Sequence, residues 1–116
     1  MESHKVFAMP FAKVFLLLIQ KAERKGRTRD EVLQVTAWLT GYPAKALEAM
    51  LGTDLTYGDF FCQAPALHPD RERIKGSVCG VKLETIEDPL MLEMRRLDKL
   101  VDELAKGKAM EKILQR

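Results

Sequence analysis

Asp88-Pro89-Leu90-Met91-Leu92-Glu93-Met94-Arg95-Arg96-Leu97-Asp98-Lys99-Leu100-Val101-Asp102-Glu103-Leu104 is the stretch that decides the class of fold. Leu90, Met94, Leu97, Val101 and Leu104 recur at alternating steps of four and three, which lays them along one side of an α-helix. Asp88 offers a side-chain acceptor to the first free amides, and Pro89 stands where its missing N–H costs nothing. Glu93 with Arg96, and Lys99 with Asp102 and Glu103, are spaced at i,i+3 and i,i+4 and are expected on the wet side. Gly107 interrupts the helix; Ala109, Met110, Ile113 and Leu114 predict a terminal helical segment that docks or continues. The seam spans only about two heptads, short for an autonomous coiled coil. The plain reading is a helix lying on the core; the sharper one is a homodimer seam.

Working outward, helical signals continue. Pro10 can open a helix over about 10–25, in which Phe11, Val14, Phe15, Leu17, Leu18 and Ala22 cover more than half of the cylinder. Lys21, Arg24 and Lys25 load its last turn, and Gly26 can take the left-handed cap. Thr28-Arg29-Asp30-Glu31 is a capping box for a second helix reaching about Thr40, with Gly41 as its stop. Pro43 opens a third helix, which Gly52 closes, and Thr56-Tyr57-Gly58-Asp59 starts a short fourth that must end by Ala64 because Pro65 follows. Residues 65–70 read as a loop, with one more helical turn from Pro69 through Ile74. In 76–86, Val81, Leu83 and Thr85 alternate with Lys82 and Glu84, which suggests a short extended segment. Its only evident strand partner in the sequence is Lys5-Val6-Phe7.

The expected architecture is mainly α: a single compact domain over residues 1–116, of five or six helices in an orthogonal bundle, with one short extended segment near 78–86. The 116 residues suffice for one domain and not two. Size scaling gives roughly 6,400 Å² of folded surface against about 19,000 Å² unfolded, enough burial for a core without disulfides or metal. With 47% hydrophobic and 31% charged residues the chain is globular rather than disordered, and a net charge of +2 excludes a general polyanion binder. The most apolar run, Val6 to Ile19, is broken by Pro10 and Lys13 and is too short for a bilayer span. No cleavage site follows it, and the two cysteines fit a reducing cytoplasm.

The chain resembles, over nearly its whole length, a family of bacterial proteins called domain of unknown function 2200. The resemblance rests on Lys25-Gly26-Arg27-Thr28, Trp38-Leu39-Thr40-Gly41-Tyr42, Phe60-Phe61 with Ala64-Pro65, and Ile74-Lys75-Gly76 with Cys79-Gly80-Val81. It continues through Ile86-Glu87-Asp88-Pro89-Leu90-Met91, Leu97-Asp98-Lys99-Leu100 and the run from Asp102 to Leu114. It implies a small, mainly helical, cytoplasmic bacterial protein and supplies no activity. Pro43 after Gly-Tyr, and His68 before Pro69, depart from the family pattern in ways that suit a helix start and a turn.

Five constellations are candidates for chemistry. Residues 33–52 place Ala37, Gly41 and Leu47 at helix-turn-helix spacing, but the would-be reading helix Pro43–Met50 has one cation and no Asn, Gln or Arg for base edges. Lys21, Arg24, Lys25, Arg27 and Arg29 form a basic corner that can hold an anion or nucleic acid; its plain reading is a solvated helix terminus diluted by Glu23, Asp30 and Glu31. Arg71, Arg73 and Lys75 make a smaller basic patch. Cys62 and Cys79 have apolar sequence neighbours and read as inert thiols, with His68 lacking an orienting partner. His4, Cys62, His68 and Cys79 match no compact metal spacing, and Glu84, Glu87 and Asp88 read as capping residues rather than catalytic acids. No phosphate-cradling or nucleophile-elbow motif is present, so no cofactor is expected and an enzyme is disfavoured. Trp38 and Tyr42 are the expected partly exposed aromatics.

The leading expectation is therefore a non-enzymatic helical module that binds a partner protein or itself through Leu90, Met94, Leu97, Val101 and Leu104. Nucleic-acid binding through the 30–51 hairpin and the Arg24–Arg29 corner is the alternative. A small-molecule binder or an enzyme of unknown reaction is the second alternative, favoured if the fold holds a pocket with convergent polar groups.

Overall fold

Pro10 sets the first geometry. Its extended backbone separates α1 (Glu2–Ala8) from α2 (Phe11–Glu23). The break is pinned by two backbone hydrogen bonds, Phe11 N–H to the Leu55 carbonyl and Tyr57 N–H to the Met9 carbonyl, both 2.8 Å. The structure, a computed structural model, describes residues 2–78 and 80–115. Among these, α3 (Arg29–Thr40), α4 (Ala44–Met50), α5 (Tyr57–Cys62), α6 (Pro89–Ala105) and α7 (Met110–Leu114) complete seven α-helices. The fold is mainly α, as the periodicity predicts, with one helix more than expected.

The sequence-predicted caps form as chemistry requires. Thr28 Oγ1 accepts from Glu31 N–H at 3.2 Å while the Glu31 carboxylate accepts from Thr28 N–H at 2.9 Å. Thr56 Oγ1 accepts from Asp59 N–H, and Asp88 Oδ1 accepts from both Leu90 and Met91 N–H. His68 Nδ1 accepts from Asp70 N–H and starts a 3-10 turn over Pro69–Arg73.

The 76–86 stretch corrects the sequence reading. Its extended residues pair with each other: β1 (Ser77–Val78) and β2 (Val81–Lys82) form an antiparallel hairpin. Leu83–Thr85 then turns into a second 3-10 segment instead of prolonging the alternation. Lys5-Val6-Phe7 is no strand partner because it lies in α1.

The core is organised on α6, which packs against α2, α3, α5, α7 and β1. The expected seam residues are accounted for within this core. Met94, Leu97, Val101 and Leu104 are buried within one chain, and Leu90 is half-buried against the same core. Burial in its own core thus explains the stripe without a second copy. The wet side is also corrected, since Glu93, Arg96 and Glu103 are buried.

A layer of aromatics closes the other end. Phe11 stacks on Phe15 and Phe60 with ring centroids 5.0 and 4.2 Å apart, and Tyr42 lies 4.9 Å from Phe60. The Tyr42 hydroxyl donates to the Phe60 carbonyl at 2.7 Å. Tyr42 is thus a core residue and not an exposed contact. Trp38 is half-buried and stacks on His68 at 4.0 Å.

Candidate functional site

Three polar groups converge where α1, α2, α5 and α6 meet. Residues of α6 three or four apart share a face. Met91, Met94, Arg95 and Asp98 therefore line one wall of a pocket of about 180 Å³. Val6, Val14 and Tyr57 complete it. Thr56 caps α5, which places Tyr57 in its first turn with the ring inside the core.

The electrostatics of this pocket are unusual for so small a protein. The Tyr57 hydroxyl is buried and has no hydrogen-bond partner among the described residues. Burial pushes its pKa well above the ordinary value, and the nearby Asp98 charge adds to the shift. Asp98 is pushed up in turn by burial, against the opposing pull of Arg95 and Lys21. Arg95 Nη1 donates to Asp98 Oδ2 at 3.4 Å, a long contact that leaves the carboxylate loosely held. The site thus presents a protonated phenol, a weakly engaged carboxylate and a guanidinium within apolar walls.

The basic corner is largely consumed inside the fold. Lys21 turns onto Asp102 of α6 at 3.4 Å. Arg27 makes a double contact with Glu31 and donates to the Leu104 and Lys108 carbonyls at the end of α6. Arg29 lies 3.7 Å from Glu48 of α4. Arg24 and Lys25 remain exposed. The corner is mainly a joint between α2, α3 and the α6–α7 connection. The Arg27 contact and the Thr28 amide bring the Glu31 carboxyl down to about 2. Its folded-state pKa is depressed, so it stabilises the fold above its ordinary value of 4.5, and that contribution is lost as pH falls through about 2. Glu31→Gln is expected to flatten this part of the acid limb in urea midpoints measured across that window, with the near-neutral region changed only by the lost contacts.

The helix-turn-helix candidates have structural employment. Thr36 and Thr40 are fully buried, each donating its hydroxyl to the carbonyl four residues back at 2.8 Å. The loop after α5 lies over the end of α3, with Ala66 N–H on the Thr40 carbonyl and His68 N–H on the Leu39 carbonyl. Cys62 is exposed and not apolar-enclosed as its sequence neighbours suggest. Cys79 lies outside the described residues, as does the side chain of His4. Among the described residues no three His, Cys, Asp or Glu side chains converge as a metal ion requires. None of their helices is long and apolar enough to cross a membrane.

A family model described as an uncharacterised protein conserved in bacteria, DUF2200, matches residues 5–115. The chain belongs to this family. A solved structure similar to this DUF2200 chain is the crystal structure of uncharacterized protein SP1917, at 56% identity and a TM-score of 0.92. The match covers 96% of this chain and 91% of that one. No curated protein matches. The pocket residues Tyr57, Arg95 and Asp98, and the buried Glu93 and Arg96, were not among the sequence candidates. For Glu93, Arg95, Arg96 and Asp98 the only sequence signal is charge placed next to the apolar stripe of α6; Tyr57, in α5, carries none.

Proposed function

We propose that this DUF2200 chain is a non-catalytic cytoplasmic binding protein whose ligand seat is the Tyr57–Asp98 pocket. The observation that carries the reading is the unpartnered buried hydroxyl of Tyr57 in a pocket shared with Asp98 and Arg95. A buried polar group without a partner costs about 1–3 kcal/mol, so a ligand that satisfies it gains affinity and specificity together. Tyr57 stays protonated at neutral pH and serves as a hydrogen-bonding group rather than a base. Val6, Val14, Met91 and Met94 favour a compact apolar body. The Arg95–Asp98 pair balances its own charge, which favours a neutral polar head such as an amide or alcohol. The small volume fits a fragment-sized ligand or the tip of a partner's side chain, below the roughly 300–1,000 Å³ of ordinary ligand pockets.

Nucleic-acid binding is less well supported. Three exposed cations, Arg24, Lys25 and Lys45, give few phosphate contacts, and Arg29 is already shared with Glu48.

The test uses the whole chain with benzamide and benzyl alcohol as probes, read by amide proton–nitrogen spectra. Saturable shifts at Val14, Tyr57, Met94 and Asp98 are expected. Tyr57→Phe is expected to weaken binding about tenfold while leaving the melting temperature equal or higher, because it removes an unsatisfied buried hydroxyl. Absence of shifts with both probes sinks the reading, as does a Tyr57→Phe chain that binds equally well. A lower melting temperature for Tyr57→Phe would mean that the hydroxyl is paired in the free protein, and would remove the premise.

A further inference from the structure

A second pocket, of about 290 Å³, lies on the opposite flank of α6. Ile74, Leu83, Ile86 and Leu92 form its apolar walls, and Arg96 forms a polar one. We infer that this pocket is a separate site for a small carboxylate with a branched apolar body, held by the unpaired edge of the Arg96 guanidinium.

The argument begins with Glu93. Its Oε2 accepts from Arg71 Nε and from Arg96 Nη1, each at 2.9 Å. One carboxylate therefore serves two guanidiniums. Arg71 is further engaged, donating Nη1 to the His68 carbonyl at 2.9 Å. Among the described residues Arg96 has no second acceptor: it is only 9% exposed, and its Nε is buried without a partner. Buried guanidinium N–H groups are normally satisfied, because leaving one unmade forfeits a charge-assisted bond. The Nε–Nη2 edge of a guanidinium carries two parallel donors, the geometry that a carboxylate fills with both oxygens.

Charge narrows the ligand. Arg71 and Arg96 against Glu93 leave one positive charge uncompensated, which matches a monoanion. Lys75 at the pocket adds a second cation, while the exposed Glu72 and Glu84 supply two carboxylates in the same lining. Counted together these six groups sum to zero, so no anion is drawn in by the net field, and attraction rests on the single positive charge left at the Arg71–Glu93–Arg96 triad. The four aliphatic walls require a body of matching character, and a branched short-chain acid satisfies both conditions. Glu93 Oε1 is also buried and without a partner among the described residues; its charge is the one already set against the two guanidiniums.

The test is titration of the full chain with isovalerate, isovaleramide and inorganic phosphate at neutral pH, followed by amide proton–nitrogen spectra. Isovalerate is expected to shift Ile74, Leu83, Ile86 and Leu92 saturably, and isovaleramide, equal in shape but uncharged, to bind at least about tenfold more weakly. Arg96→Lys keeps the charge and loses the planar fork, and is expected to weaken isovalerate about tenfold. Because Arg96→Lys can also disturb the Glu93 cluster, the isovalerate–isovaleramide comparison on the unmodified chain decides independently. Equal binding of acid and amide overturns the site, as do stronger shifts by phosphate or shifts confined to Val14, Tyr57 and Asp98.

Discussion

Leu97→Ala is expected to lower unfolding free energy by about 3 kcal/mol, with the same loss at every protein concentration. Leu97 is fully buried midway along α6, the helix against which α2, α3, α5, α7 and β1 all pack. Truncation removes its apolar area from the core and leaves a cavity that rigid neighbours cannot close. Against a total stability of about 5–15 kcal/mol, the loss corresponds to roughly 10–20 °C in melting temperature. Concentration dependence is the functional part of the test. Were the Leu90–Leu104 stripe a contact between copies, the unmodified chain would melt higher as it is concentrated, and the mutant would lose that dependence. Urea melts at two concentrations about a hundredfold apart separate the cases. A loss below about 1 kcal/mol, or a midpoint that moves with concentration, would return the stripe to an interface.

The parts of the fold legible in sequence are those whose cause lies within a few residues. The Thr28–Glu31 box, the Asp88-Pro89 start and the Gly41 stop are each a contact between a side chain or a left-handed residue and the nearest free amides or carbonyls. The α6 period is equally local. What stayed hidden depends on distant partners. α1 follows no capping signal in the sequence, and the Pro10 break after it is held by the 55–57 segment. The extended residues near 78–86 are legible but their pairing is not, because two-residue strands carry too little alternation to reveal their partner. Glu93 and Arg96 look like an ordinary solvated i,i+3 pair until Arg71 arrives from 22 residues upstream and shares the carboxylate. The basic corner shows the same limit in reverse. Its charge density is real in sequence, but Asp102, Glu31 and Glu48 meet three of its five cations. The candidate pocket was invisible because Tyr57 and the Arg95–Asp98 pair belong to different helices. Hydropathy places each residue on its own helix and says nothing about which helices meet.

Gly41→Ala is expected to cost about 2–4 kcal/mol, from two causes that a control can separate. The residue terminates α3 at φ +84°, a left-handed conformation that an alanine adopts at a cost of about 1 kcal/mol. An added Cβ would also stand 2.8 Å from the Cβ, N and O of Ala66. Two of those atoms are backbone and cannot swing aside without moving the loop. That loop bonds to the Thr40 and Leu39 carbonyls and carries His68, whose ring stacks on Trp38. Lifting it exposes the helix end and loosens the stack together. Gly107 is the control: it too has positive φ, at +92°, but nothing lies within 4 Å of its added Cβ. Gly107→Ala is therefore expected to cost only the conformational part, about 1 kcal/mol. The lone tryptophan reports on the difference, because Trp38 emission is expected to shift to the red in folded Gly41→Ala and to stay unchanged in Gly107→Ala. If the two variants unfold within about 0.5 kcal/mol of each other, the close seating of the 64–68 loop on Gly41 is wrong. A turn glycine free of such a lid would then restore the helix-turn-helix reading of residues 33–52, in which the same glycine serves only to reverse the chain.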